Sequence, residues 1–250
     1  MNASPKIFIV CTTARSGSNL VCDYLFNTGR LGRPTEVFNP QIVVTGAYNR
    51  RYTVPEPVVL SDYVAWLKDN FATRNGVLGL KMLWEDIEFL GGSPVVSEML
   101  DQAHLIRLTR RRKLAQAVSY YLAQETGQWV ASDPARRPPE DVAFDFGAIS
   151  RHLDRLCLQD ARWDAELDTR GLKAVHWHFE DFVRDPALHV RSLADRLGVD
   201  IADDPIRTSL TKQSTARSQE FIDAFRRDAR ARRAGESPGE TIYENVRFQT

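Results

Sequence analysis

IFIVCTTARSGSNLVCDYLF, Ile7–Phe26, decides how the rest of the chain is read. Ile7–Cys11 is an unbroken apolar run, the pattern of a strand buried on both faces of a parallel sheet. From Ser18 to Asn27, Leu20, Val21, Tyr24 and Leu25 fall at helical spacing, with Gly29 as a suitable stop. Between strand and helix lies TTARSGSN. A strand that passes through a tight loop into a helix makes an anion site, because the first N–H groups of the helix converge there and its dipole favours negative charge. Gly17 lets the backbone come close to a ligand. Ser16, Ser18 and Asn19 add side-chain donors.

The nucleotide-binding version of such a loop is GxxxxGK(S/T). With its second glycine on Gly17, the first glycine falls on Thr12, the lysine on Ser18 and the magnesium-binding hydroxyl on Asn19. Three of the four specified positions fail, which argues against an ATP- and magnesium-dependent kinase or ATPase. The cation of this loop is instead Arg15, whose planar fork takes two oxygens at once.

Outward from the loop, strands and helices keep alternating. Val77–Met82, Leu105–Leu108 and Lys173–His178 read as strands. Lys113–Gln124, Phe146–Leu167, Leu188–Leu197 and Ser218–Arg232 read as helices. This order implies an α/β fold, a central parallel sheet with helices on both faces. Two stretches rich in turn-forming residues interrupt it, residues 30–61 and 127–141. Both are long for simple connections and suit substrate-binding loops. One domain over residues 1–234 with a polar tail over 235–250 is expected.

The totals narrow the function. Lys plus Arg and Asp plus Glu are 33 each, so no overall basic excess points to nucleic acid or a membrane surface. No apolar run approaches the roughly 20 residues of a membrane span, and MNASPK lacks a secretory signal pattern. Cys11, Cys22 and Cys157 form no CxxC and are odd in number, as expected of reduced thiols in a cytoplasmic protein. His176 and His178 stand two apart on one strand face, but no third metal ligand accompanies them.

TxxRSGS between a buried strand and a helix resembles the 5′-phosphosulfate loop of sulfotransferases that use 3′-phosphoadenosine 5′-phosphosulfate (PAPS). The wider pattern resembles the bacterial trehalose 2-sulfotransferase family. Thr12–Leu20 matches its loop, Gly32–Phe38 (GRPTEVF) its G-x-P-x-E-x-F stretch, and Gly79–Lys81 its strand ending G-x-K. Arg110–Ser119 matches its Arg…QAVS block and Ala216–Gln219 its late arginine segment, preceded here by Lys212 and Gln213. The resemblance covers about residues 7–227.

It implies a P-loop-NTPase-like sulfotransferase fold that moves a sulfuryl group from PAPS, without a metal, to a hydroxyl of a carbohydrate or glycolipid, a trehalose-like disaccharide being the first choice. Residues around Val43–Val58 would select that acceptor. Glu36 is implied as the general base, in a setting where Val37 and Phe38 would raise its pKa toward neutrality. Arg15 would stabilise the leaving oxygen and the sulfuryl group, while the N–H groups of Ser16, Gly17, Ser18 and Asn19 hold the 5′-phosphate. Arg110, or a neighbour among Arg111, Arg112 and Lys113, would grip the 3′-phosphate together with Ser119. Arg217 and Ser218 would support the nucleotide. Lys81 either reaches donor or acceptor or snorkels from its strand end. Trp84, Trp129 and Tyr52 are aromatic candidates for a sugar or adenine face. An exposed apolar loop is compatible with a homodimer. The competing readings are an ATP-dependent kinase and a binding module that has lost its chemistry.

Overall fold

The computed structural model describes residues 5–39, 59–90, 92–130, 134–201, 206–210 and 216–235. Their four strands are β1 (Lys6–Thr12), β2 (Val77–Leu83), β3 (His104–Thr109) and β4 (Ala174–His178). They form one sheet in the order β2-β1-β3-β4, and every pairing is parallel. Val10 lies opposite Lys81 on one side and Ile106 on the other. The C-terminal ends of β1, β2 and β3 therefore finish side by side, the edge of an open α/β sheet where ligands bind.

Alternation along the strands divides the core in two. Ile7, Ile9, Cys11, Leu78, Leu80, Met82 and Leu105 face one layer, packed with residues of α2 (Leu60–Asn70), α3 (Trp84–Leu90), α4 (Pro94–Gln102) and α6 (Phe146–Thr169). Phe8, Val10, Ile106, Leu108 and Trp177 face the other, against α1 (Ser18–Phe26) and α8 (Pro186–Leu197). Helices thus cover both faces, as the pattern of the sequence implies. A third cluster lies beyond the sheet, where α5 (Lys113–Thr126) and α6 meet Phe221, Ile222 and Phe225 of α9 (Ala216–Gly235).

Several boundaries differ from the periodicity, for identifiable reasons. α8 starts at Pro186 rather than Leu188, because the Asp185 carboxylate accepts the Leu188 N–H and proline suits the first helical position. Asp145 caps α6 in the same way through the Ala148 N–H. α2, α3 and α4 were not expected. α2 follows Val59, which supplies no capping side chain. α3 is only seven residues long. The short helix α7 (Phe179–Phe182) follows β4 directly. Within residues 127–141, Pro139–Asp141 forms a single 3₁₀ turn. No described helix is long and apolar enough to cross a membrane.

Candidate active site

The loop between β1 and α1 is wound tightly. Arg15 has φ 59°, a left-handed conformation rare outside glycine, and Gly17 follows with φ 95°. A Cβ at Gly17 would lie 2.2 Å from the Phe179 ring, so glycine is required both by conformation and by space. The Thr12 hydroxyl donates to the Leu108 carbonyl and accepts from the Ser16 hydroxyl, both at 2.8 Å. Ser16 is fully buried, and its hydroxyl serves the inside of the loop rather than adding an outward donor. α1 begins at Ser18, and its first N–H groups have no partners within the helix itself.

Two guanidinium groups converge above this turn. Arg15 Nε donates to Ser119 Oγ at 3.0 Å, and Arg15 Nη1 donates to the Trp129 carbonyl at 2.5 Å. Arg110 Nη1 donates to the carbonyl of Arg15 at 3.2 Å, and its guanidinium carbon lies 5.5 Å from the Phe179 ring centre. Burial, and then the charge of Arg110, hold Arg15 below the usual arginine range. Burial also lowers Arg110, against a raising influence from Glu180 and with Arg112 lowering it further. Arg110 Nε is buried with no hydrogen-bond partner among the described residues. Neighbouring cations with a spare buried donor form a site that gains by taking up an anion.

Glu180 fixes the turn that carries Arg110. Its two carboxylate oxygens accept the N–H groups of Arg111 and Arg112, each at 3.0 Å. Arg111 forms a two-pronged pair with Asp181 at 2.6 and 2.7 Å. Of the basic run, Arg111 is therefore engaged outward while Arg110 leans over the loop. Thr109 Oγ1 pairs with His178 Nδ1 at 2.9 Å, so His178 braces the same strand ends.

The third component comes from residues far apart in the chain. Gly32 rests on Gly79 of β2, where a Cβ would lie 2.4 Å from the Gly79 nitrogen. Thr35 then bridges to Leu80 in parallel register, and its carbonyl accepts the Lys81 N–H at 3.0 Å. This short pairing sets the Glu36 carboxylate 2.7 Å from the Lys81 ammonium. Lys81 is buried and also donates to Asn19 Oδ1 at 2.5 Å. Lys81 does not snorkel; it links β2, the Glu36 segment and the start of α1. The expected rise in the Glu36 pKa is corrected here. Burial does push it up, but the charge and hydrogen bond of Lys81, with a further hydrogen bond from Asn39, hold it below the usual carboxylate range.

The remaining expected residues make the following contacts. Arg217 binds both carboxylate oxygens of Glu220, donates to the Val142 carbonyl at 2.5 Å and stacks over Phe221. These contacts join α9 to the α5–α6 layer, and Ser218 follows in the same first turn of α9. Trp84 is core, edge-on to Trp163. Trp129 is exposed, with its ring edge-on to Tyr120 and its carbonyl on Arg15. Tyr52, Lys212, Gln213, residues 43–58 and residues 236–250 lie outside the described residues.

Three residues around the site were not singled out from the sequence. Asp86, in the first turn of α3, accepts the Leu83 N–H at 2.8 Å while its other oxygen is buried without a partner among the described residues. Glu180 was missed because a glutamate after a strand is unremarkable until Arg111 and Arg112 are seen to fold onto it. Gln116 sat within the Arg…QAVS block, and its position there was the signal.

A trehalose 2-sulfotransferase of Mycolicibacterium smegmatis is 26% identical over 92% of this chain and 97% of its own length. One from Mycobacterium tuberculosis is 24% identical over the same shares. The solved structure of a sulfotransferase from Alicyclobacillus acidocaldarius aligns over 93% of this chain and 96% of that one, at 20% identity and a TM-score of 0.49. The family model for Stf0 sulphotransferases matches residues 7–228, nearly the whole chain, and the protein therefore belongs to the Stf0 sulphotransferase family.

Proposed function

We propose that this sulfotransferase takes its sulfuryl group from PAPS and places it on a hydroxyl of a carbohydrate or glycolipid, with a trehalose-like disaccharide as the acceptor to test first. The observation that carries the donor assignment is Arg110 beside Arg15: both guanidinium groups are partly desolvated, they repel one another, and the buried Arg110 Nε has no hydrogen-bond partner among the described residues. A nucleotide with phosphates at both ends of its ribose would give that Nε an acceptor and offset the repulsion between the two arginines. The trehalose specificity of the two mycobacterial relatives supports the choice of acceptor.

When bound, PAPS supplies the sulfuryl group and a phosphate leaving group. The chain supplies the rest. The N–H groups at the start of α1 hold the 5′-phosphate, and Arg110 the 3′-phosphate. Arg15 stabilises the charge that grows on the phosphate oxygen as its bond to sulfur breaks. Glu36 accepts the proton of the acceptor hydroxyl as the new oxygen–sulfur bond forms. Lys81 keeps Glu36 ionised and orients it. The products are adenosine 3′,5′-bisphosphate and the sulfate ester.

Asn19 stands where a nucleotide loop presents its magnesium-binding hydroxyl, and its amide oxygen faces the Lys81 ammonium. A cation on that oxygen disfavours a second one, which supports a reaction without a metal. The same feature weighs against an ATP-dependent kinase. A cytoplasmic setting fits the two buried thiols, Cys11 and Cys22, both pushed up to about 12 chiefly by burial.

Calorimetry with adenosine 3′,5′-bisphosphate, followed by a sugar panel with labelled PAPS, tests the reading. Micromolar binding and label transfer to a disaccharide are expected. Glu36→Gln should keep nucleotide binding and lose at least about 100-fold in transfer, the usual scale for a general base. No binding of the bisphosphate would sink the donor assignment, and unchanged turnover in Glu36→Gln would remove the base.

A further inference from the structure

Arg15 occupies a left-handed conformation that an L-residue keeps only when its surroundings over-determine it. The carbonyls around it show what does so. Trp163 Nε1 donates to the Thr12 carbonyl at 2.8 Å. Gln116 Nε2 donates to the Ala14 carbonyl at 2.8 Å and to Thr13 Oγ1 at 2.9 Å. Arg110 Nη1 donates to the Arg15 carbonyl. The peptide planes on both sides of Arg15 are thus pinned. To return φ of residue 15 to the ordinary negative region, the Ala14–Arg15 plane must rotate and swing the Ala14 carbonyl off its donor.

Of the two pins, only Gln116 is independent of ligand. Arg110 belongs to the anion site, whereas Gln116 is fully buried on α5. The amide is itself oriented. Lys113 Nζ donates to Gln116 Oε1 at 3.4 Å and pairs with Asp160. Asp160 also binds the fully buried Arg107 at 2.8 Å, and Arg107 binds Asp164 at 2.7 Å. The Thr13 hydroxyl donates to Asp160 at 3.4 Å. An ionic network centred on the buried Arg107 and Asp160 therefore sits behind the loop, with Gln116 as its contact to the strained peptide. Such networks fix one geometry when every member is satisfied.

We propose that Gln116 is a positioning residue for the transfer arginine: its amide holds the Ala14 carbonyl, keeps Arg15 left-handed and so delivers the Arg15 guanidinium to Ser119 and the anion site. The inference rests on the proposed role of Arg15 in transfer.

The test is Gln116→Met, of similar length and without donors, studied by high-resolution crystallography and steady-state kinetics with PAPS. Residue 15 should leave the left-handed region and its contact with Ser119 should be lost. Turnover should fall about 10- to 100-fold, the scale of a misplacement near 1 Å. The affinity for adenosine 3′,5′-bisphosphate should change less than about 3-fold, since the α1 amides and Arg110 remain. A merely structural role would lower thermal stability without this split between kcat and binding. If Gln116→Met does not fold, Gln116→Glu keeps the size and the Lys113 contact, cannot donate to Ala14, and takes the same measurements. Retention of φ near +59° overturns the proposal, and so does a relaxed residue 15 with unchanged turnover. A wild-type protein that transfers no sulfuryl group would sink the reading of its function, while the conformation of residue 15 in the variant would still decide this inference.

Discussion

The Lys81 ammonium lies 2.7 Å from the Glu36 carboxylate, although one belongs to a buried strand and the other to a loop that precedes it by more than a helix. Glu36 is 28% exposed on its side chain and Lys81 only 5%, so the pair is shielded on the lysine side and open on the other. A base held this way is ionised before any acceptor arrives. Lys81→Met leaves burial as the main influence on Glu36, and burial raises a carboxylate pKa. The acid limb of the pH–rate profile should then move upward by at least about one unit. In the wild type the pair contributes stability above the unfolded glutamate pKa of about 4.3, and that contribution is lost as pH falls through the lowered folded value. Its removal should cost about 1–3 kcal/mol at pH 7, less than a fully buried pair. An unmoved acid limb would show that another group sets it.

Arg110→Ala should separate the two phosphates. Loss of a buried charge-assisted contact typically costs about 1.5–3 kcal/mol. The variant should bind adenosine 3′,5′-bisphosphate at least about 10-fold more weakly and adenosine 5′-monophosphate almost unchanged. Competition binding with both nucleotides measures the ratio. Equal losses would move the 3′-phosphate to another residue of the basic turn, with Arg112 as the next to examine.

Gly32 reaches Glu36 through the backbone. Its φ is 71°, and the atom that a Cβ would strike is the main-chain nitrogen of Gly79, which no rotamer change can move. Gly32→Ala should destabilise the protein by about 2–4 kcal/mol, measured by denaturant unfolding. It should also reduce transfer in the fraction that remains folded, because the Thr35–Lys81 pairing that places Glu36 must shift. Full activity and stability would show that the two segments separate easily.

Asp86 predicts a stability profile opposite in sign to that of Glu36. Burial pushes its carboxyl up to about 7, the Leu83 hydrogen bond pulls it down, and the charges of Glu36 and Glu85 add to the rise. Below the unfolded aspartate pKa of about 3.9 the neutral acid costs nothing. As pH rises from there to about 7, the unfolded chain ionises while the native one resists, so native stability falls. Asp86→Asn keeps an acceptor for the Leu83 N–H and removes the titration. The variant should gain on the wild type between pH 4 and 8, by roughly 3 kcal/mol. A constant difference across that range would mean that Asp86 is ionised throughout in the native state.

The architecture was legible because its signals are local. The apolar runs of β1, β2 and β3 and the 3.6-residue spacing of α5 and α6 each reside in one short window. The helices that were missed show the limit of such windows. α2 has no capping side chain at Val59, and α3 follows β2 without an intervening loop. In both, burial against the sheet determines the helix more than any local propensity does.

From the sequence alone came the strand–loop–helix unit, the rejection of a magnesium nucleotide loop, and the residues Arg15, Glu36, Lys81 and Arg110 as a set. Only the tertiary structure decided how they act on one another. Lys81 reversed the expected shift of Glu36, Ser119 turned out to meet Arg15, and Arg217 turned to Val142 and Glu220. The physical reason is range. Residue types and spacings record hydrophobic periodicity and backbone freedom, which act within a few residues. A pKa or the aim of a guanidinium depends on charges a few ångströms away that can be a hundred residues distant in the chain, and the sequence carries no coordinate for that distance.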